Sequence, residues 1–428
     1  MFVLYNILQL VFLPVFLPFI IIFVLCSSKY RNRIPARLGI GLRHEIAKNT
    51  IAKSNSLRQT IWLHALSVGE VTSAVPLIAG LRKTYPESRI IVSVTTRTGK
   101  RVADNLLKSL ADHIIDGPLD LLPVVSLFVK YIQPNLFILI ETDLWPNTIL
   151  YLKHKNIPTI LVNGRVSQKA MDGYKRLRFF FNPMFQSFSY LCMQTKRDRD
   201  NMENIGLPTE KLQTLGNLKF DTAPGKVNNL LKSPADMLPK DRIIFICGST
   251  HSGEEKILID CYRQLKTKHP ELFLVIAPRD TTRSTELQTL AAEHDLTSSL
   301  RSANSSTPGD IFILDTIGEL IHFYALSNIG FVGGSLVDKN GHNPIEPAIM
   351  GLPVIFGPNM QDFSEIAEAL IKVGGATEVS TQQELVDLLH RLLTTQELRS
   401  RQGQAAQQCI EGQRGVIKKH LELISQLL

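Results

Sequence analysis

Residues 1–28, MFVLYNILQLVFLPVFLPFIIIFVLCSS, carry no charged side chain. About 20 apolar residues suffice for a helix to cross the hydrocarbon core of a bilayer, so the run predicts a single-pass transmembrane anchor. Pro14 and Pro18 should kink it, which a lipid-embedded helix tolerates. A cleaved signal peptide would show a charged start, a shorter apolar stretch and small residues before the cut, and none of these is present. Leu25 is likewise too bulky to precede a lipidated Cys26. Past this run the pattern changes to short apolar segments alternating with stretches of helical periodicity. The strand candidates are IWLHAL (61–66), RIIVSVTT (89–96), NLFILIE (135–141), TILV (159–162) and YLCMQ (190–194), then RIIFICG (242–248), LFLVIA (272–277), IFILD (311–315), NIGFVGG (328–334) and PVIF (353–356). Such alternation predicts βαβ units around parallel sheets. The stretch from Asp221 to Asp241, rich in Pro, Gly, Asn and Lys, reads as a linker. The expected organisation is therefore α/β: an anchor over 1–28, a Rossmann-like doubly wound domain over 29–225, a linker over 226–241 and a second such domain over 242–428. Two such sheets bind ligands at the C-terminal ends of their strands, facing a cleft.

Composition adds little until charge is located. The 428 residues carry 47 Lys and Arg against 39 Asp and Glu, a net charge of +8. Most of the excess lies between Lys29 and Arg58, where Lys29, Arg31, Arg33, Arg37, Arg43, Lys48, Lys53 and Arg58 face one acid, Glu45. With Tyr30 almost alone among interleaved aromatics and an apolar run directly before it, this block suits an anionic membrane surface rather than nucleic acid. By the positive-inside rule it places the rest of the chain on the cytoplasmic side. Cys26, Cys192, Cys247, Cys261 and Cys409 show neither CxxC pairing nor metal-ligand spacing, as suits a reducing compartment.

Several motifs follow predicted strands. Gly39-Ile-Gly41 lacks the strand, the helix and the third Gly of a dinucleotide fingerprint. Asp198-Arg-Asp200 has the form of a cation-chelating DxD, but within KRDRDNMEN it reads as a solvated helix face. Ser67-Val-Gly-Glu70 reads two ways: as a capping box, with both residues satisfying backbone donors, or as a strand-end carboxylate kept ionised near a helix N-terminus and suited to general-base work. Glu141-Thr-Asp143-Leu-Trp145-Pro-Asn147 puts two acids and a Trp at a strand end, although Asp143 could cap a helix with Pro146 in its first turn. In Ser249-Thr-His-Ser252-Gly-Glu-Glu255 the Ser252/Glu255 spacing is again a capping box, and the helix start could equally hold an anion. The densest group is Gly333-Gly-Ser-Leu-Val-Asp-Lys-Asn-Gly-His342-Asn343-Pro-Ile-Glu346-Pro347, where backbone could approach a phosphate and an acid could take a ribose. His64, His251 and His342 lack metal-ligand spacing and read as satisfied or cleft-lining imidazoles.

Taken together, HALSVGE (64–70), ETDLWPN (141–147), NGRVS (163–167), GNLKFD (216–221), STHSGEE (249–255), IGEL (317–320), VGGSLV and GHNPIEPA (332–348) resemble the bacterial 3-deoxy-D-manno-octulosonic acid (Kdo) transferases over essentially the whole chain. The resemblance implies a GT-B fold, with the first domain binding the acceptor and the second a CMP-sugar. It implies CMP-Kdo as donor, the tetra-acylated lipid A precursor as acceptor, no cofactor or metal, and residence at the bacterial inner membrane. Residue by residue, it implies Glu70 as catalytic base and Glu141 and Lys219 as stabilisers of the transition state. It further implies CMP contacts from Pro278, Arg279, Ile317, Gly318, Glu319, Asn343, Pro344, Ile345 and Glu346. The family usually continues its Pro-Arg with a His and basic or aromatic residues, whereas here Asp280-Thr-Thr-Arg283 follows. Another membrane-tethered GT-B transferase using a UDP-sugar, or a non-catalytic lipid-binding protein, would show the same layout.

Overall fold

The computed structural model describes residues 3, 5–12, 14, 33–47, 58–142, 144–166, 168–221, 237–303 and 309–428. They form two compact units, one of residues 1–222 together with 415–428, the other of residues 223–414. The first holds a seven-stranded sheet ordered β3-β2-β1-β4-β5-β6-β7, with β1 Thr60–Ala65, β2 Arg89–Val94, β3 His113–Asp116, β4 Leu136–Ile140, β5 Thr159–Gly164, β6 Tyr190–Met193 and β7 Leu212–Thr214. The second sheet, ordered β10-β11-β9-β8-β12-β13-β14, uses β8 Ile243–Thr250, β9 Leu272–Pro278, β10 Ser298–Leu300, β11 Ile311–Ile313, β12 Ile329–Val332, β13 Val354–Phe356 and β14 Ala376–Glu378. Every pairing is parallel.

The continuous apolar runs in the sequence arise because each sheet is covered on both faces. In β1 and β4, Ile61, Leu63, Leu136, Ile138 and Ile140 enter one buried cluster while Trp62, Phe137 and Leu139 enter the other. All ten expected strands are present. The four that the pattern missed, β3, β7, β10 and β14, are three or four residues long and lie at or next to sheet edges, where one flank needs little apolar covering.

The last helix, Val416–Ile424, departs from the expected run of the second domain to residue 428. Val416 and Ile424 are fully buried in the first unit's core beside Leu77, Leu81 and Leu218. Asp221 fixes the return, accepting from the Gly415 and Ile417 amides at 2.8 and 2.7 Å. Most of the expected linker, 222–236, lies outside the described residues.

The expected transmembrane span also lies mostly outside them, and among the described residues no helix is long and apolar enough to cross a membrane. Residues 5–12 are helical, and they are fastened to the first unit by their polar side. Asn6 donates to Asn147 Oδ1 at 2.8 Å, Gln9 donates to the Asp120 carbonyl at 3.0 Å, and the Tyr5 hydroxyl donates to Asp120 at 3.2 Å. Ile7, Leu8, Leu10, Val11 and Phe12 are exposed instead.

Because Ile424 sits in a close-packed interior, Ile424→Ala should cost about 2–5 kcal/mol. Denaturant unfolding followed by far-UV circular dichroism measures this; a loss below about 1 kcal/mol would mean the terminal helix is only loosely attached.

Candidate active site

In the first unit the strand order reverses between β1 and β4, which are paired neighbours. Motifs follow both. After β1, Ser67 is the N-cap of the helix Val68–Thr84. Glu70 N–H donates to Ser67 Oγ at 3.4 Å, Ser67 Oγ donates to Glu70 Oε1 at 3.1 Å, and the Leu66 amide donates to Oε2 at 2.6 Å. The capping reading is thus realised, and it leaves the Glu70 carboxylate buried and oriented by the Ser67 and Leu66 donors. The two readings of this motif are compatible, since the cap is what holds the carboxylate still.

After β4, Glu141 adopts φ 60°, a left-handed conformation that costs a non-glycine residue energy. Its carboxylate accepts from Asn163 Nδ2 at 3.3 Å. Asn163, at the end of β5 and also left-handed at φ 59°, is fully buried. Its Oδ1 accepts from the Leu218 amide at 3.0 Å, and its carbonyl accepts from Gln194 at 2.9 Å. Gln194 in turn accepts from Asn217 Nδ2 at 2.9 Å, while Asn217 Oδ1 takes the Lys219 amide at 3.0 Å. One buried amide network therefore ties ETDLWPN, NGRVS and GNLKFD together and brings Glu141 and Lys219 to the same strand ends. Sequence reading named the motifs but not their connectors Asn163, Gln194 and Asn217. An Asn at a strand end where φ must be positive is the signal that could have found Asn163.

Asp143 lies outside the described residues. Among the described residues, Asp120 accepts from the first-turn amides of the helix Pro146–His154, those of Asn147 and Thr148, at 2.9 and 2.8 Å. Asp198 corrects another expectation. It is buried, not solvated, and it accepts from the Val166 amide at 2.9 Å and from its own N-cap, Thr195. Among the described residues no group of three or more His, Cys, Asp or Glu could hold a metal ion.

The basic block is also more structural than expected. Arg33 pairs with Asp116 and donates to the Val94 carbonyl at 3.3 Å, Arg37 donates to the Gly117 carbonyl at 3.0 Å, and Arg58 pairs with Glu87. Lys29, Arg31, Lys48 and Lys53 lie outside the described residues.

In the second unit the order reverses between β8 and β12, again paired neighbours. The Ser252/Glu255 capping box does not form: Gly253, at φ 99°, is the N-cap of the helix Glu254–Lys266 and provides no side-chain cap. Glu254 occupies the anion position itself, accepting from the His251 and Gly334 amides at 2.7 Å each. Burial pushes its carboxyl up to about 7, against the pull of those amides. Glu255 accepts from Thr250 Oγ1 at 2.9 Å and pairs with Arg283 through contacts of 2.8 and 3.0 Å. The departure at Asp280-Thr-Thr-Arg283 thus supplies the partner of a buried acid.

Pro278 ends β9, and exposed Arg279 follows, its amide donating to the Thr250 carbonyl at 2.9 Å. Asn343 Oδ1 accepts from the Ile345 amide at 3.0 Å while its Nδ2 donates to Glu346 at 3.2 Å. Burial raises the Glu346 carboxyl, opposed by Asn343 and Arg279. Ile345 is 0% exposed and Pro344 is buried, so the side chain of Ile345 serves the core and a ligand would meet these two through backbone. Ile317 is 89% exposed, next to Gly318 at φ 90°. Partial burial works to raise the Glu319 carboxyl, but Thr316 and Arg301, the latter at 2.9 Å, bring it below the usual range.

Two doubly wound parallel-sheet units resemble the GT-B architecture found among glycosyltransferases. A glycosyltransferase from Rickettsia africae shares the fold at TM-score 0.54 and 14% identity, covering 87% of this chain and 99% of that one. So does the UDP-GlcNAc 2-epimerase of Neisseria meningitidis, at TM-score 0.59 and 14% identity over 86% of this chain and all of that one; these likenesses concern the fold alone. The family described as 3-Deoxy-D-manno-octulosonic-acid transferase (kdotransferase) matches residues 32–222. A 3-deoxy-D-manno-octulosonic acid transferase of Haemophilus influenzae is 34% identical over 99% of this chain and 98% of its own length. The chain belongs to the Kdo transferase family and is a glycosyltransferase.

His64, in the HALSVGE motif, is buried in the first sheet between Ser93 Oγ at 2.7 Å and Thr95 Oγ1 at 3.3 Å. Burial, with Arg37 adding to it, lowers its pKa from 6.5 to about 4. The unfolded chain therefore binds the extra proton first. The neutral ring's contribution is complete above pH 6.5 and is lost as pH falls from 6.5 toward 4, a difference of about 3 kcal/mol. Stability measured by urea unfolding across that window should fall less steeply in His64→Gln, and an unchanged slope would remove His64 as a source of acid sensitivity.

Proposed function

We propose that the chain moves Kdo from CMP-Kdo to a hydroxyl of the tetra-acylated lipid A precursor, releasing CMP, in the inner-core assembly of lipopolysaccharide. The observation that carries this reading is the pairing of β1 with β4 at the first sheet's reversal point, which sends Glu70 and Glu141 out of adjacent strand ends. The bond between the anomeric carbon and a phosphate oxygen breaks with its electron pair going to that oxygen, and positive charge develops on the sugar ring as in glycoside hydrolysis. Glu70, held in place by its cap, takes the proton of the attacking hydroxyl. Glu141 supports the cationic ring, and Lys219 offsets the charge gathering on the departing phosphate. In the second unit Arg279, the Ile317–Glu319 turn and the Asn343–Glu346 segment bind CMP, with Pro278 fixing Arg279 at the strand end.

We further place the protein on the cytoplasmic face of an anionic inner membrane. A helix that turns Tyr5, Asn6 and Gln9 inward and Ile7, Leu8, Val11 and Phe12 outward is the reverse of a soluble surface helix. Tyr5 meets Phe180 edge-on at 6.0 Å. Exposed Leu177 and Phe179 flank that contact, with Lys175, Arg176 and Arg178 exposed around them. This apolar face rimmed by cations, rather than Arg33 and Arg37, would meet the lipid.

Glu70→Gln preserves the cap but not the proton acceptor, so transfer should fall by about 10² to 10⁴ while CMP binding survives; Glu346→Ala should weaken CMP instead. Mass spectrometry of lipid A precursor incubated with freshly generated CMP-Kdo reads the transfer, with UDP-sugars as the competing donors. An active Glu70→Gln enzyme would reassign the base, and turnover of a UDP-sugar alone would reassign the donor.

Replacing Leu8 and Phe12 together with Asp removes two large side chains from the lipid, each contributing about 1.5–3 kcal/mol when buried. Flotation with vesicles containing anionic phospholipid should show binding reduced at least tenfold, with the thermal melt preserved. Undiminished flotation would mean that this face is not the one that meets the membrane.

A further inference from the structure

The first unit's strand ends carry an irregularity that the sheet itself does not need. β5 and β6 pair Leu161 with Leu191 and next Gly164 with Met193, three steps along one strand against two along the other. The extra residue makes a bulge, which bends a strand and re-aims a side chain. Asn163 lies in it at φ 59°, a region that asparagine enters more readily than most non-glycine residues. Gly164 permits the close approach to β6, since a Cβ there would stand 2.9 Å from Met193 Sδ and 3.2 Å from the Cys192 carbonyl.

The residues around the bulge grip the chain that leaves β4. The Val162 carbonyl accepts from the Glu141 amide at 2.8 Å, and the Arg165 amide donates to Thr142 Oγ1 at 3.1 Å. Between them the Asn163 side chain uses both of its ends, Nδ2 donating to Glu141 Oε1 at 3.3 Å and Oδ1 accepting from the Leu218 amide at 3.0 Å. A backbone N–H can only donate, so the oxygen must face Leu218 and the NH2 group is left for the carboxylate. Leu218 opens the turn Leu218–Asp221, in which Leu218 and Phe220 are buried. Holding its amide therefore holds the backbone on which Lys219 stands. Aspartate, the isostere of asparagine, could satisfy Leu218 but has no proton to give Glu141 when ionised.

We propose that Asn163 is a positioning residue for Kdo transfer, setting the Glu141 carboxylate and the turn that bears Lys219 at a fixed spacing so that the two act as one unit. The role rests on the function proposed above, in which Glu141 supports the cationic ring and Lys219 offsets the charge on the departing phosphate. Those charges separate only in the transition state, so the spacing governs kcat rather than the KM for the donor. Asn163 itself touches no reacting atom in this arrangement and acts through Glu141.

A side-chain swap in the full-length protein tests this. Asn163→Asp keeps the size, the tolerance of positive φ and the acceptor for Leu218, but sets a carboxylate against Glu141. It should melt a few degrees below the parent and lose about 10² in kcat, the order that a misplacement of about 1 Å costs, with the KM for CMP-Kdo held within about twofold. Adding Glu141→Gln reverses the hydrogen bond, amide now donating to carboxylate. The double variant should therefore recover the melting temperature of Glu141→Gln and transfer Kdo no more slowly than Glu141→Gln alone, because residues that act as a unit are not additive. No recovery of the melt would overturn the contact. Transfer by Asn163→Asp at the parent's rate, or losses that multiply in the double variant, would overturn the positioning role while leaving the donor assignment standing. A parent that moves no Kdo from CMP-Kdo, with melts that swap as expected, would overturn the function proposed above and the transfer role with it, leaving the contact alone.

Discussion

A parallel sheet covered on both faces has no solvated side on which to display polar chemistry, and this constraint organises both units. Side chains of β1, β4, β8 and β12 are committed to core on either face, so reactive groups must leave through the strand ends. Where the strand order reverses, the helices that follow neighbouring strands go to opposite faces, opening a gap between two loops. Ser67 to Glu70 and Glu141 flank one such gap, and His251 and His342 join hands across the other.

Holding groups at such a gap requires the chain to turn sharply out of extended conformation. Glu141, Asn163 and Ser249 all do so with positive φ, at 60°, 59° and 58°. None is glycine, so each carries a backbone cost of about 1–2 kcal/mol. For Asn163 the compensation is visible, because the same residue supplies a donor to Glu141 and an acceptor to Leu218. The conformational cost and the polar network are two aspects of one arrangement: a left-handed Asn is what points its amide toward the next strand end.

Fold class and the central strands were legible because burial on both faces writes long apolar runs into the sequence. Short edge strands such as His113–Asp116 and Leu212–Thr214 left no such record. The return of Val416–Ile424 to the first unit was invisible for a different reason. Its apolar stripe says that the helix packs, not on what, and the deciding contact is Asp221 meeting amides 194 and 196 positions away. The motif residues were legible by type, yet Asp198 shows how a polar residue in a charged stretch is read as solvated when its partner is a distant backbone amide such as that of Val166. The family resemblance named the roles assigned to Glu70, Glu141 and Lys219, while the amides that hold the last two together emerged only from the packing.

The N-terminal residues illustrate the same point with the sign reversed. Hydropathy alone treats residues 1–28 as one apolar length, for which the simplest structure is a span. Three polar residues, Tyr5, Asn6 and Gln9, lie close enough in sequence to share one helix face, and each would be costly in hydrocarbon without a partner. They find those partners in Asp120, whose carboxylate also accepts from the first-turn amides of the helix Pro146–His154, and in Asn147 of that first turn. The segment is therefore hydrogen-bonded to the residues at the start of the helix that follows Glu141. Asp120 accepts from Tyr5 and Gln9 on one side through its carboxylate and carbonyl, and from the Asn147 and Thr148 amides through its carboxylate, so the position of the N-terminal helix and the start of the helix Pro146–His154 depend on the same residue.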